Sequence, residues 1–134
     1  MRHVYPIVTT PALAECRAFY ERALEARVLF ESRWYLHLCT ASAQGRFEIG
    51  FLHPEPPQRL PLFRHATLSR GLCLALEVDD VLATHRQMVA RGVEIFSRLQ
   101  VWENGERSFS LIDPAGVVLN VVEHHRDASV SEPV

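Results

Sequence analysis

Two halves of this chain repeat one order of elements, strand–helix–strand–strand–strand, and a repeat of whole supersecondary units decides an architecture more strongly than any single element. In the first half His3–Thr9 reads as a short strand rich in β-branched and aromatic residues, with Pro6 implying a sheet edge or a bulge. Thr10-Pro11 supplies a hydroxyl cap and a proline for a helix start. Leu13, Cys16, Phe19 or Tyr20, and Leu24 then recur at helical spacing, with Glu15, Arg17, Glu21 and Arg22 on the other face. Strands are predicted over Ala26–Ser32, Trp34–Thr40 and Arg46–Leu52, with a turn at Ala41–Gly45. The second half restarts at Gly71–Val78, where Leu72, Leu74, Leu76 and Val78 alternate with Cys73, Ala75 and Glu77. Asp79 or Asp80 caps a helix containing Val81, His85, Met88 and Val89, and Gly92 falls at its C-terminal cap. Strands follow over Glu94–Leu99, Arg107–Ile112 and Val117–Glu123, the last two joined by a turn at Asp113-Pro114-Ala115-Gly116.

The predicted architecture is α+β: two tandem βαβββ modules forming an open, cup-shaped mixed sheet with the helices on its outer face. The 134 residues make one domain, with module one over about 3–53, a connector over about 54–70, module two over about 71–124 and a polar tail over 125–134. Four of the eight prolines lie between His53 and Arg70, a density that blocks helix and central strand. Phe63, Arg64 and His65 make this connector either a lid or a plain spacer. Placing Ala12-Leu13 on Asp80-Val81 offsets the halves by 68 positions and carries Tyr5 onto Cys73; an offset of 72 for the last strands carries Glu48 onto Asn120.

Composition excludes several classes. A formal net charge of −2 is not the concentrated positive surface that nucleic acid requires. No apolar run approaches the ~20 residues that cross a bilayer, and the first residues lack the long apolar stretch of a secretory signal. Cys16, Cys39 and Cys73 form no close-spaced pair, which fits a reducing, cytoplasmic setting; Cys16 and Cys39 read as small buried residues. Phe30 and Phe109 read as core, and Trp34, Tyr35 and Trp102 as walls for a planar ligand.

Three stretches resemble one family. Pro11-Ala12-Leu13-Ala14-Glu15-Cys16-Arg17-Ala18-Phe19-Tyr20-Glu21 is similar to the helix opening of the vicinal oxygen chelate superfamily, which holds glyoxalase I, extradiol dioxygenases, and fosfomycin and bleomycin resistance proteins. Glu77-Val78-Asp79-Asp80-Val81 resembles the start of its second module. Trp102-Glu103-Asn104-Gly105-Glu106-Arg107, Asp113-Pro114-Ala115-Gly116 and Asn120-Val121-Val122-Glu123 resemble its closing segment. The glycine usual after the first helix is replaced by Glu25, which puts that turn in question.

The resemblance implies a homodimer whose pockets are lined by both chains. Metal-dependent members take up to four ligands, one from the first and one from the last strand of each module. The positions here are Tyr5, Glu48, Cys73 and Asn120, of which only Glu48 is a usual donor for a divalent ion. A displaced site built from Glu48 with His3 or His124 would need ligands slid ~6–7 Å along a strand. The expected function is therefore metal-free binding of a small amphipathic or aromatic molecule by Tyr5, Trp34, Glu48, Cys73, Trp102 and Asn120, closest in character to the bleomycin-resistance members. The alternative is a metal-dependent lyase or dioxygenase with unusual ligands. Cys73 reads as a small filler of the wall rather than a soft-metal ligand or a nucleophile, and Glu48 either as a general base or acceptor for a cationic ligand or as the partner of Arg46 or Arg107.

Overall fold

A computed structural model describes residues 1–42, 45–55 and 72–124. The connector beyond Glu55, with Phe63, Arg64 and His65, and the tail from residue 125 lie outside the described residues. The order is β1 (Ile7–Thr9), α1 (Leu13–Leu24), β2 (Arg27–Glu31), β3 (Tyr35–Ser42), β4 (Gly45–Leu52), β5 (Cys73–Glu77), α2 (Val81–Ala90), β6 (Ser97–Val101), β7 (Arg107–Ile112) and β8 (Val118–Glu123). The repeat is therefore real, and each half forms a four-stranded mixed sheet, ordered β1-β4-β3-β2 and β5-β8-β7-β6. In both sheets the first strand runs parallel to the fourth while the other neighbours are antiparallel. β1 is shorter than the expected His3–Thr9: it begins at Ile7, just after Pro6, and lies at a sheet edge, and the Pro6 carbonyl accepts from the Gly50 N–H.

Helix α1 buries Cys16, Tyr20 and Ala23, one stripe at i, i+4 and i+7. It packs on Leu36 and Leu38 of β3 and Ile49 and Phe51 of β4, all almost wholly removed from water. Each such side chain contributes about 1.5–3 kcal/mol by burial. The same burial pushes the Cys16 thiol up to about 12, the behaviour of an inert core cysteine. The helix starts two residues later than Thr10-Pro11 suggests. Thr10 Oγ1 accepts from the Ala12 N–H, closing a local turn ahead of the helix rather than capping it. At the other end Glu25 adopts φ 54°, the left-handed conformation usually given to glycine. The turn survives the substitution, and Glu25 Oε1 accepts from Arg91 at 2.6 Å.

Helix α2 is capped by Asp80, whose Oδ1 accepts from the Ala83 N–H, and Glu123 Oε1 accepts from the Val81 N–H. Gly92 follows at φ 81°. Val89, placed on the apolar stripe by spacing, is half exposed. One hydrophobic cluster draws on both halves, joining Val8, Tyr20 and Phe51 to Val81, Met88, Phe109 and Leu111. Polar contacts also cross between them: the Tyr20 hydroxyl donates to Asp113 Oδ2 at 2.7 Å, and Arg91 donates to the Ala23 carbonyl at 3.1 Å.

Two further strand readings need correction. Phe30 is 57% exposed rather than core, because a bulge between Val28 and Phe30 turns it to the opposite face from Val28. The sixth strand spans Ser97–Val101 rather than Glu94–Leu99, with an irregularity between Ser97 and Gln100.

Candidate functional site

Because Leu36, Leu38, Ile49 and Phe51 face α1, alternation puts Tyr35, His37 and Cys39 of β3 and Arg46, Glu48 and Gly50 of β4 on the other face of the first sheet. The ladders align one row straight across it: Ile7, Gly50, His37 and Phe30. Beside it Glu48 stands opposite Cys39, which stands opposite Arg27.

Glu48 is the hub. Its Oε1 lies 2.6 Å from His37 Nε2, and its Oε2 accepts from Arg46 Nε at 2.8 Å and lies 3.4 Å from His3 Nε2. The bond from His37, then those from Arg46, hold its carboxyl below the ordinary glutamate value against the opposing effect of burial. The other ring nitrogen of His37, Nδ1, is 2.7 Å from the Tyr35 hydroxyl. The Tyr5 ring meets His37 edge to face at 4.4 Å, and the Tyr5 hydroxyl interacts with that of Tyr35. Burial, with Tyr5 and Glu48 adding to it, pushes the Tyr35 hydroxyl up to about 12.

Gly50 makes this arrangement possible. Its backbone has no need of glycine's freedom, but a Cβ there would overlap the Tyr35 hydroxyl and lie 2.9 Å from Tyr35 Cζ. The ring of Tyr35 lies across β4 in the space that only a hydrogen leaves open.

The second sheet has a different chemistry on its corresponding face. Its row is Ala75, Asn120, Ser110 and Ser97, with Ser110 and Ser97 hydrogen-bonded through their hydroxyls. Trp102 Nε1 donates to Ser108 Oγ at 2.9 Å. Helix starts at Leu13 and Val81 keep the offset of 68. Yet Ile7 pairs with Gly50 and Ala75 with Asn120, so the fourth strands correspond at an offset of 70, not 72. Glu48 therefore matches Val118, the partner of Cys73, and Asn120 matches Gly50.

Of the residues singled out by sequence, the structure thus gathers Tyr5, Glu48 and His3 around His37. Cys73, Asn120 and Trp102 share one face of the second sheet, and Cys73 is exposed rather than a filler. Trp34 does not join either group; its ring lies under Arg33 at 4.8 Å and against His53 at 5.2 Å. His124 is taken by Glu106 at 2.8 Å, with Glu77 at 3.7 Å. Arg46 does pair with Glu48, whereas Arg107 pairs with Glu123 at 2.5 Å. A cleft of about 690 Å³ between the halves is bordered by Arg46, Ala75, Glu77, Gln87 and Arg91. Among the described residues no group of three or more His, Cys, Asp or Glu side chains is arranged to hold a metal ion. Tyr35, His37 and Gly50 are the members that sequence reasoning did not assemble. A lone glycine in a strand, two residues from a glutamate on the same face, was the available signal.

Comparison with known proteins agrees with this fold. Residues 2–121 match the family model of the Glyoxalase/Bleomycin resistance protein/Dioxygenase superfamily. Among solved structures, a lactoylglutathione lyase from Agrobacterium tumefaciens is similar with a TM-score of 0.70 at 19% identity, over 92% of this chain and 94% of that one. A bleomycin-binding protein complexed with bleomycin gives 0.62 at 20%, over 93% and 100%. A glyoxalase/bleomycin resistance protein/dioxygenase family enzyme from Burkholderia phytofirmans PsJN gives 0.69 at 20%, over 90% and 97%. At such identities the structural likeness speaks for the fold alone, and no curated protein sequence matches the chain.

Proposed function

The chain belongs to the Glyoxalase/Bleomycin resistance protein/Dioxygenase superfamily, and on that footing we propose that it binds a small amphipathic or aromatic molecule against the open faces of its sheets, without a metal, in a cup completed by a second copy of the chain.

The observation that carries this reading is the occupation of Glu48. Of the four positions that correspond to the family's metal ligands once the ladder register is used, Tyr5, Glu48, Cys73 and Val118 in place of Asn120, only Glu48 is a usual donor, and both of its oxygens are already engaged by His37, Arg46 and His3. A divalent ion at that carboxylate would sit beside the Arg46 guanidinium, a like charge at close range. The register supports the same conclusion, since Cys73 faces Val118 and Asn120 lies two residues further along β8. The residues present therefore do not fit the family's metal. The alternative lyase or dioxygenase is disfavoured on the same ground, and a displaced site with His124 has that ring engaged by Glu106.

Exposed apolar side chains support a covered cup. Ile7 and Phe30 stand in the row of the first sheet, and Ile112 and Trp102 border the open face of the second. Apolar surface of that extent marks a binding or subunit face. Tyr5, Glu48, Cys73, Trp102 and Asn120 are the contacts assigned to the ligand, and the free cysteines among the described residues agree with a reducing, cytoplasmic setting.

A thermal-shift panel of planar antibiotics and glutathione conjugates tests the reading. A ligand at a hundredfold excess over its Kd stabilises the fold by about 2.7 kcal/mol, and Glu48→Gln is expected to keep the fold while losing that gain. A panel in which nothing stabilises the wild type removes the binding reading. A Glu48→Gln variant that binds as well as wild type removes Glu48 from the site.

A further inference from the structure

We propose that the hydrogen-bond chain running from Glu48 through His37 to Tyr35 leaves the Tyr35 oxygen on the first sheet's open face an acceptor only, which selects aromatic ligands carrying an N–H or O–H donor. The inference deepens the binding reading above and rests on it.

The direction of the chain follows from proton counting. An ionised carboxylate only accepts, so the short contact of Glu48 Oε1 with His37 Nε2 requires an N–H on that nitrogen. In the neutral ring Nδ1 is then bare and accepts, and the 2.7 Å contact with Tyr35 uses the only proton of that hydroxyl. With its proton committed to His37, the Tyr35 oxygen can only accept. Each proton in the chain therefore points towards Glu48, and lone pairs remain at the tyrosine end. Arg46 and His3 on the second carboxylate oxygen fix the anchor, and Cys39, opposite Glu48 in the ladder, is the other titratable group on that face of β3.

The preference for a ring follows from what flanks the acceptors. Ile7 and Phe30 stand at the two ends of the row that holds Gly50 and His37, 39% and 57% exposed. The half-buried Tyr35 sets the hydroxyl end of its side chain over Gly50, with the Phe30 ring 6.3 Å away. A planar apolar body has surface to cover there, and a donor on its edge meets the Tyr35 oxygen, which offers no proton in return. A methylated analogue would leave that acceptor unpaired, which is costlier than a merely absent contact.

Matched pairs test this in the intact protein: indole against 1-methylindole and phenol against anisole, by calorimetric titration. The donor-bearing member is expected to bind about tenfold tighter or more, and the double variant Tyr5→Phe, Tyr35→Phe to reduce that preference to less than about twofold while keeping the wild-type circular dichroism. Equal binding of both members overturns the inference and leaves the binding reading standing; no binding of either overturns it as well. A preference that survives the double variant overturns it by placing the acceptor elsewhere. Should that variant not fold, nitrogen-15 spectra of wild-type His37 decide: a proton on Nε2 supports the chain, and the Nδ1–H tautomer overturns it.

Discussion

Replacing Asp113 with alanine is expected to cost the fold about 3–4 kcal/mol, enough to bring a domain of ordinary stability close to unfolding. The carboxylate is 4% exposed and serves three donors. Oδ2 accepts from the Tyr20 hydroxyl at 2.7 Å, while Oδ1 accepts from the Ala115 and Val117 N–H groups, both at 2.8 Å. Alanine takes the acceptor from the fully buried Tyr20 hydroxyl and from the buried Val117 N–H, and each orphaned group costs about 1–3 kcal/mol before relaxation. Burial pushes the Tyr20 pKa well above that of a free tyrosine, so this hydroxyl stays a donor across the working range. Asp113→Asn should cost less, because one oxygen still serves the turn and the amide can donate to Tyr20. Urea denaturation of Tyr20→Phe, Asp113→Ala and the double variant measures the coupling directly. Clear non-additivity is expected, since the two residues are in contact. Additive losses would mean that the contact does not join the halves.

The second large effect is expected at Gly50. A Cβ there collides with the Tyr35 ring, so Gly50→Ala must push that ring off β4 and break its bond to His37. The expected cost to the fold is about 1–3 kcal/mol, with at least about a tenfold loss of affinity for any ligand that uses the Tyr35 oxygen. Adding Tyr35→Leu to Gly50→Ala should recover much of the stability, because the collision is with the phenol, but none of the affinity. If Gly50→Ala melts and binds as wild type does, Tyr35 does not occupy the position described.

The two modules and their strands were legible from alternation and from the cap and turn residues, because those signals are local. The stretches that resembled the family turn out to hold the scaffold together: Tyr20 meets Asp113 across the halves, and Asp80 caps α2 while Glu123 accepts from its first N–H. They identify a fold and say little about a ligand. The site itself was only partly legible. Alternation placed Glu48 on the open face and named Arg46 as a possible partner, but His37 is eleven residues away across a hairpin, and the period of two gives a face without giving a register. Where a bulge interrupts that period the face itself is lost, as at Phe30. The offset of the last strands failed for a related reason, since a shift of 72 set Glu48 against Asn120 where the ladder matches Gly50 with Asn120.

The central claim is that the carboxylate at the family's ligand position is the anchor of a hydrogen-bonded wall and not a metal ligand. Elemental analysis of the purified protein before and after chelation, with melting followed in added zinc, nickel, iron and manganese, tests it most directly. The account predicts far less than one ion per chain, and a melting temperature and ligand binding that neither chelator nor added ion changes. One tightly held divalent ion per chain, whose removal lowers the melting temperature and abolishes binding in step and whose retention requires Glu48, would contradict it.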